Sequence, residues 1–176
     1  MKSLICFLWS ISLTWMGKGQ VKEQAMETTI KVQALKWANS IVNQDFNNYI
    51  RFMDPRIITL AGGKDQLRQD MDSAIASMKR DGRTIKKIQV GNPGQIILFQ
   101  NELQCILPQT TIIITPMGEL EAETTLIALS MDKGLSWYFI DTNIYKEDRL
   151  RAVLPDLSPS LVIPPESQPR FTPNKN

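Results

Sequence analysis

The spacing of apolar residues changes once along this chain, near residue 82, and that change limits the possible folds more than any other feature. Before it, apolar side chains recur every three or four residues, as on one face of an amphipathic helix. After it, they alternate, as on a half-buried antiparallel strand. Helices therefore precede strands, which predicts an α+β fold, and 176 residues suit a single domain.

The helical half is divided by proline and glycine. The residue before a proline avoids the helical conformation, so Asp54-Pro55 is expected to end a helix. Gly62-Gly63 is expected to turn the chain. The predicted elements are a helix over 25–44, a second over 46–53 capped by Asp45, a short β-branched strand over 57–60 and a third helix over 64–79.

The strand half is predicted from alternation and from turn residues. Pro108 lacks the N–H that a ladder uses, so it is expected to interrupt the sheet. Asp132-Lys133-Gly134 is typical of a short hairpin turn. The predicted elements are strands over 84–90, 95–107, 110–115, 119–131 and 135–144, followed by a short helix over 147–153.

Residues 1–19 have the pattern of a cleaved signal peptide. Lys2 precedes an apolar run over 4–16 that is too short to span a bilayer comfortably, and Gly17 and Gly19 supply small residues for cleavage. The mature chain is then expected to begin at Gln20 and to be exported by a bacterium, periplasmic or secreted, with no membrane attachment. The alternative is an uncleaved anchor.

The charge balance argues against a nucleic-acid partner. The chain has 20 basic and 18 acidic residues. Loss of residues 1–19 removes Lys2 and Lys18 and no acid, which leaves a formal net charge of zero. Domains that bind nucleic acid present a basic face instead.

The chain contains no histidine and, after cleavage at residue 19, one cysteine, Cys105. The lack of histidine excludes Ser-His-Asp and Cys-His catalysis and nearly every common zinc site. Cys105 has no partner for an intramolecular disulfide and no base to activate it, so it is expected to be a small buried side chain. No cofactor and no metal site are predicted.

The segment after residue 154 has a different composition from the domain over 20–154. It carries prolines 155, 159, 164, 165, 169 and 173, so a helix or a central strand is excluded. Residues 155–176 are expected to form an extended or disordered tail. Its one apolar patch, Leu161-Val162-Ile163, favours partial packing on the domain.

The order of the predicted elements resembles the nuclear transport factor 2-like superfamily. The resemblance is carried by Asp45–Leu67, which reads D-F-N-N-Y-I-R-F-M-D-P-R-I-I-T-L-A-G-G-K-D-Q-L, and by Trp137–Asp141, W-Y-F-I-D. It implies a cone-like fold, with N-terminal helices packed on a strongly curved antiparallel sheet. The superfamily includes dehydratases, isomerases, transport adaptors, ligand carriers and association modules, so the resemblance implies no single function.

The candidate site lies where the core face of the strands meets the inner faces of the helices. Asp141 alternates with Trp137 and Phe139, so an aspartate beside aromatic rings, with a raised pKa, is one interpretation. A structural aspartate that bonds the backbone at a strand end is the other. Asn101 is expected on the core face of the strand over 95–107. The predicted ligand-binding residues are Trp37, Tyr49, Asn101, Trp137 and Asp141.

Three functions stay open. The leading hypothesis is a non-catalytic domain that binds a small apolar ligand or a protein partner in or on the cone. The second is an isomerase- or lyase-like enzyme, with Asp141 as the base and Tyr49 as a hydrogen-bond donor. The third is a structural module that forms a homodimer through its sheet face.

Overall fold

A computed structural model describes residues 16–145, 147–165 and 167–174. Most of the predicted signal peptide, residues 1–15, lies outside these ranges. No helix in them is both long and apolar enough to cross a membrane. The elements, in chain order, are α1 (Met16–Val42), α2 (Phe46–Tyr49), a 3-10 turn (Ile50–Phe52), α3 (Pro55–Leu60), α4 (Lys64–Arg80), β1 (Thr84–Val90), β2 (Ile97–Phe99), β3 (Glu102–Thr115), β4 (Gly118–Ser130), β5 (Tyr138–Asp141), α5 (Glu147–Val153) and β6 (Arg170–Pro173).

The strands form one antiparallel sheet that curls into a half-barrel. Its order is β1-β3-β4-β5, and in addition β2 pairs with β3 and β6 pairs with β4. The two long strands β3 and β4 pair along their whole length, from Leu103↔Ser130 to Thr115↔Gly118. Helices pack on this sheet, so the predicted α+β fold, a single domain with helices on a strongly curved antiparallel sheet, is confirmed.

The concave face of the sheet is the side that packs against α1. Trp37 of α1 lies 6.2 Å, centroid to centroid, from Phe139 of β5. The register places Phe139 beside Ala128, and Ala128 beside Cys105. These residues and Leu107 are at most 1% exposed, so the alternating apolar positions of the strands fill the interior of the half-barrel.

The opposite, convex face is covered by the chain that follows β5. Gln104 points to this side; its amide donates to Asp156 O (2.5 Å) and its carbonyl accepts from Ser158 N (2.8 Å). Residues 125–130 of β4 are all buried, without alternation, because both faces are covered there. Part of the predicted tail therefore packs on the domain. Its buried leucines are Leu157 and Leu161, and they continue from two others that are also buried, Leu150 of α5 and Leu154 just after that helix.

The predicted short strand over 57–60 is wrong, because these residues belong to helix α3. Asp54 caps this helix: its Oδ1 accepts from Arg56 N at 2.8 Å, and Pro55 occupies the first turn. Capping thus outweighs the β-branched residues. The first helix also begins earlier than predicted, at Met16, and runs unbroken through the predicted cleavage position after residue 19.

The predicted long strand over 95–107 is wrong as well. It is two strands, β2 and β3, that pair with each other through a turn at Gln100 and Asn101. Both turn residues have positive φ, 45° and 69°. Asn101 is consequently exposed at the turn rather than on the core face. The prediction failed because the turn lacks the glycine that usually marks such a hairpin.

Pro108 does not interrupt the sheet, contrary to the prediction; β3 runs straight through it. The carbonyl of Pro108 accepts from Gly91 N at 2.7 Å. In a strand the N and O of one residue face the same side, so the missing N–H of Pro108 faces the loop between β1 and β2. The ladder with β4 therefore loses no hydrogen bond.

The last predicted strand, over 135–144, is shorter in the structure, where β5 covers Tyr138–Asp141. The carboxylate of Asp132 explains the difference, because it accepts from the backbone N–H groups of Leu135 and Ser136. These bonds hold the residues before β5 in a loop. The connection is thus longer than the predicted Asp132–Gly134 turn.

A buried ion triad ties α3 to the sheet. Arg56 Nη2 lies 2.8 Å from Asp54 Oδ2, and Arg56 Nη1 lies 2.8 Å from Glu102 Oε1 at the start of β3. The Asp54 side chain is fully buried. The hydrogen bond to Asp54 is the main cause that raises the pKa of Arg56, and burial opposes it. The guanidinium therefore stays charged and holds two acids together.

Candidate functional site

Four aromatic residues form a connected group in the interior of the half-barrel. The ring of Trp37 from α1 lies 6.4 Å from that of Tyr49 in α2 and 6.2 Å from that of Phe139 in β5. Phe52 of the 3-10 turn contacts Phe139 from another side, at 6.3 Å. Tilted rings at these separations pack favourably. Trp37 and Tyr49, two of the predicted site residues, are thus neighbours, as parts of a filled core.

A polar cluster lies on the same concave face, one step along the strands. Gln109 of β3 is 2% exposed. Its Nε2 donates to Asp141 Oδ2 on β5 at 2.8 Å and to Thr124 Oγ1 on β4 at 3.0 Å. We call Gln109, Thr124 and Asp141 the inner polar cluster. It joins three strands through side chains.

The charge of Asp141 acts on the hydroxyl group of Tyr49. Burial is the main cause that raises the pKa of Tyr49, and the fields of Tyr145 and Asp141 add to it. A phenol in this environment keeps its proton at neutral pH and serves as a hydrogen-bond donor. Tyr49 and Asp141, the two residues of the enzyme hypothesis, therefore share one region of the concave face.

Both oxygens of Asp141 have hydrogen-bond partners. Oδ2 accepts from Gln109, and Oδ1 accepts from the backbone N–H of Asn143 at 2.8 Å. The second bond turns the chain at the end of β5, which is a structural task for the carboxylate. This arrangement corresponds to the structural interpretation of Asp141, in which it bonds the backbone at a strand end.

Two buried polar atoms on this side of the molecule lack a partner among the described residues. They are Gln109 Oε1, an acceptor, and Trp37 Nε1, a donor. A buried polar group without a partner costs about 1–3 kcal/mol. Buried waters usually satisfy such groups.

The other two predicted site residues lie elsewhere. Trp137 is 1% exposed at the entrance to β5, where its Nε1 donates to Gly134 O at 3.1 Å. Its indole N–H is therefore occupied within its own loop. Asn101 lies in the exposed turn between β2 and β3. The structure brings together Trp37, Tyr49 and Asp141 and separates Trp137 and Asn101 from the inner polar cluster.

Cys105 is fully buried on the concave face. Burial, with a smaller effect from the charge of Glu27, raises the pKa of its thiol to about 12. The thiol is therefore protonated at neutral pH and is a poor nucleophile. Across the described ranges no three His, Cys, Asp or Glu side chains are grouped so that they can hold a metal ion.

The far half of the concave face carries a row of apolar side chains. Ile85, Ile113, Leu120 and Phe171 are consecutive cross-strand partners on β1, β3, β4 and β6. The first three are half-buried and Phe171 is 49% exposed. We call these four residues the concave row. It forms an apolar strip across the far half of the concave face.

No family model, curated protein or solved structure matches this chain. The resemblance to the nuclear transport factor 2-like superfamily accordingly stays an expectation, and the site must be interpreted from its own geometry.

Surface depressions near the sheet are polar and open. One of about 370 Å³ lies at the edge of β4 between its pairings with β5 and β6. Its lining includes Gln109 and Thr124 of the inner polar cluster together with Thr125, Thr142 and Pro164. Another, of about 430 Å³, lies between α1 and α2 and is lined by Asn39, Asn43 and other polar residues. Apolar ligands bind in enclosed, mostly apolar cavities, and neither depression is of that kind.

Sequence reasoning missed Gln109 and the concave row. Gln109 shares a face with Cys105 and Leu107, so continued alternation would have placed a polar residue on an apolar face. The prediction that the strand breaks at Pro108 prevented the alternation from being continued to Gln109. Phe171 carried no such signal, because its partner Leu120 is distant in sequence.

Proposed function

We propose that this chain is a non-catalytic binding module whose partner is a protein, and that the partner packs on the concave row. The observation that carries the proposal is the alignment of four apolar side chains on four neighbouring strands, Ile85, Ile113, Leu120 and Phe171, of which three are half-buried and Phe171 is 49% exposed. Burial of apolar surface contributes about 25 cal/mol per Å². Contiguous apolar surface is typical of an interaction site.

The opposite face of the same strands differs in character. Glu119 and Glu121 lie there, paired with Lys86 at 2.5 Å and with Arg170 at 2.8 Å. Glu123 also lies within 3.1 Å of Arg170. Such charged pairs suit water. On the convex side these ion pairs lie beside Ile112 and Ile114, whereas the four residues of the concave row are all apolar, and this favours the concave row as the contact surface.

A protein partner suits this site better than a small apolar ligand. The interior behind the concave row is filled by side chains at most 1% exposed, among them Trp37, Leu126 and Phe139. The cleft beside Ile85 has a volume of about 40 Å³, while pockets for small ligands usually span about 300–1,000 Å³. The concave row can still pack against an apolar surface of another protein.

Charge at the rim indicates the chemistry of the partner. Lys79 and Arg83 line the cleft together with Ile75 and Ile85. Arg83 is paired with Asp81, and Lys79 contacts the neutral side chain of Gln44. Lys79 therefore leaves a net positive charge at this cleft. We therefore propose a partner with an apolar centre and acidic residues at its edge.

The two other hypotheses receive less support. The enzyme hypothesis needs Asp141 as a base, whereas both of its oxygens are engaged by Gln109 and Asn143. A homodimer through the convex side of the sheet would be obstructed where the chain at Asp156 and Ser158 is bound to Gln104. Export remains part of the proposal on the sequence of residues 1–19, and the N-terminal residue of the protein isolated from its source tests it.

A matched pair of substitutions tests the proposal. Ile113 and Ile114 are adjacent on β3, both half-buried, on the concave and convex side. A photo-reactive amino acid at position 113 should cross-link the partner, and the same residue at 114 should not. With the partner purified, Ile113→Lys should weaken binding about tenfold or more and Ile114→Lys much less. Equal cross-linking from both positions, or none from either, would overturn the proposal.

A further inference from the structure

The contacts that hold strand β6 on the domain are mainly those of β6 itself, because the segment before it is exposed. All four of its residues, Arg170–Pro173, are exposed. The preceding residues 167–169 are exposed too, and so are Pro164 and Pro165. The prolines keep this connecting segment extended, and they do not bind it to the surface of the domain. The strand is therefore a segment docked on the sheet edge rather than a part of the core.

The edge of β4 is shaped to receive this segment. Gly118 is opposite Pro173 in the ladder, and a Cβ atom at Gly118 would lie 2.1 Å from Thr172 O. No side chain larger than hydrogen fits there unless the backbone of β6 moves. Glycine in a strand often marks such a close approach of a second backbone.

Side chains add selectivity to the backbone pairing. Arg170 Nη2 lies 2.8 Å from Glu121 Oε1 and 3.1 Å from Glu123 Oε1. At the other end, Asn174 N donates to Met117 O at 2.9 Å and Asn174 Nδ2 donates to Pro116 O at 3.0 Å. The edge thus binds the backbone of an extended segment, a cation at its start and an amide at its end.

We propose that the edge of β4 over residues 116–123 is a binding site for the extended segment 170–174, and that the site also accepts this segment from a second copy of the chain. Every copy carries both the site and its ligand. A four-residue strand with no buried side chain is weakly held. Its release exposes the β4 edge, and exchange between two open copies restores every contact.

A cysteine trap in the full-length chain tests this inference. Glu119 and Thr172 are partners in the ladder, on the convex side, so substitutions there leave the concave row intact. The double variant Glu119→Cys/Thr172→Cys should form an intrachain disulfide in a glutathione buffer, which reports docking within one copy. A mixture of the single variants Glu119→Cys and Thr172→Cys should form an interchain disulfide whose yield rises with protein concentration.

Two controls define the outcome. Glu123→Cys mixed with Thr172→Cys should form far less interchain disulfide, because Glu123 is out of register with Thr172. Gly118→Val added to each trap should abolish both bridges, since it blocks the approach of Thr172. An intrachain bridge without any concentration-dependent interchain bridge would overturn exchange between copies. Failure of both bridges would overturn the edge site itself, whatever the result at Ile113.

Discussion

Gln109 on β3 donates a 2.8 Å hydrogen bond to Asp141 on β5, although β4 lies between their strands. Gln109 is 2% exposed, so the bond is shielded from water. The amide thereby connects the middle of the sheet to its edge. A charged residue at position 109 would face the carboxylate directly.

Gln109→Glu should lower the free energy of unfolding by about 3 kcal/mol at neutral pH, because it buries two carboxylates in contact. Such a pair raises the folded-state pKa of one acid above its unfolded value near 4. The penalty should therefore be small at pH 4 and below, grow as the pH rises above 4, and level off above the raised pKa. Urea unfolding followed by tryptophan fluorescence measures it. Gln89→Glu, on an exposed position of β1, should show no such pH dependence.

Arg56→Met should lower the free energy of unfolding by about 3 kcal/mol, because it leaves the buried Asp54 and its neighbour Glu102 without a cation. Arg51→Met is the matched control. Arg51 is exposed, and its contact to Asn48 Oδ1 is long, at 3.4 Å. Its removal should change stability by about 0.5 kcal/mol or less. If both variants lost the same free energy of unfolding in urea, the ion triad would contribute no more to stability than an exposed arginine.

Asp132→Asn should destabilise the loop before β5 at neutral pH by about 1 kcal/mol. Burial alone would raise the pKa of Asp132, but hydrogen bonds from Ser136, Ser130 and Leu135 outweigh it and lower the pKa. A lowered folded-state pKa stabilises the fold above the unfolded pKa near 4, and this contribution is lost as the pH falls. The stability difference between the two proteins should hence shrink below pH 4. A difference independent of pH would contradict this assignment.

Gln100→Asn/Asn101→Gly should raise the free energy of unfolding by about 0.5–1 kcal/mol. Both positions have positive φ, and Asn-Gly is the pair that such two-residue hairpins favour. Thermal unfolding followed by circular dichroism measures the gain. Asn101→Val should have the opposite effect, because a β-branched residue resists positive φ. If neither variant changed the stability, the turn would have no preference for residues that adopt positive φ.

The order of the elements was predictable because it depends on local patterns. The 3.6-residue period of α1 and α4, and the alternation in β1 and β4, report which face of each element is buried. Asp45 caps α2 as predicted, with its side chain accepting from Asn48 N. The errors at α3 and at the turn of Asn101 occurred where capping or turn geometry overrode residue preference. The error at Pro108 occurred because the side of the strand that its missing N–H faces depends on the pairing of β3.

The candidate site was predictable only in part. Alternation correctly placed Asp141 on one face with Phe139, and the helical period correctly pointed Trp37 inward. It did not predict the contact of Asp141 with Gln109, because that contact depends on the register of β3 across β4. Register is set by the pairing of whole strands, and a shift of one residue would turn Gln109 to the other side.

The sequence by itself determined the α+β class, the helices before the strands and the exclusion of histidine chemistry, because these follow from composition and short-range periodicity. Only the tertiary structure decided which surfaces are covered. Leu161 is buried and Phe171 is half exposed, although both lie in the same proline-rich segment. Ser158, near Leu161, is held by Gln104 of β3, and Phe171 lies opposite Leu120 of β4. Both partners are far away in the chain, and no local pattern encodes them.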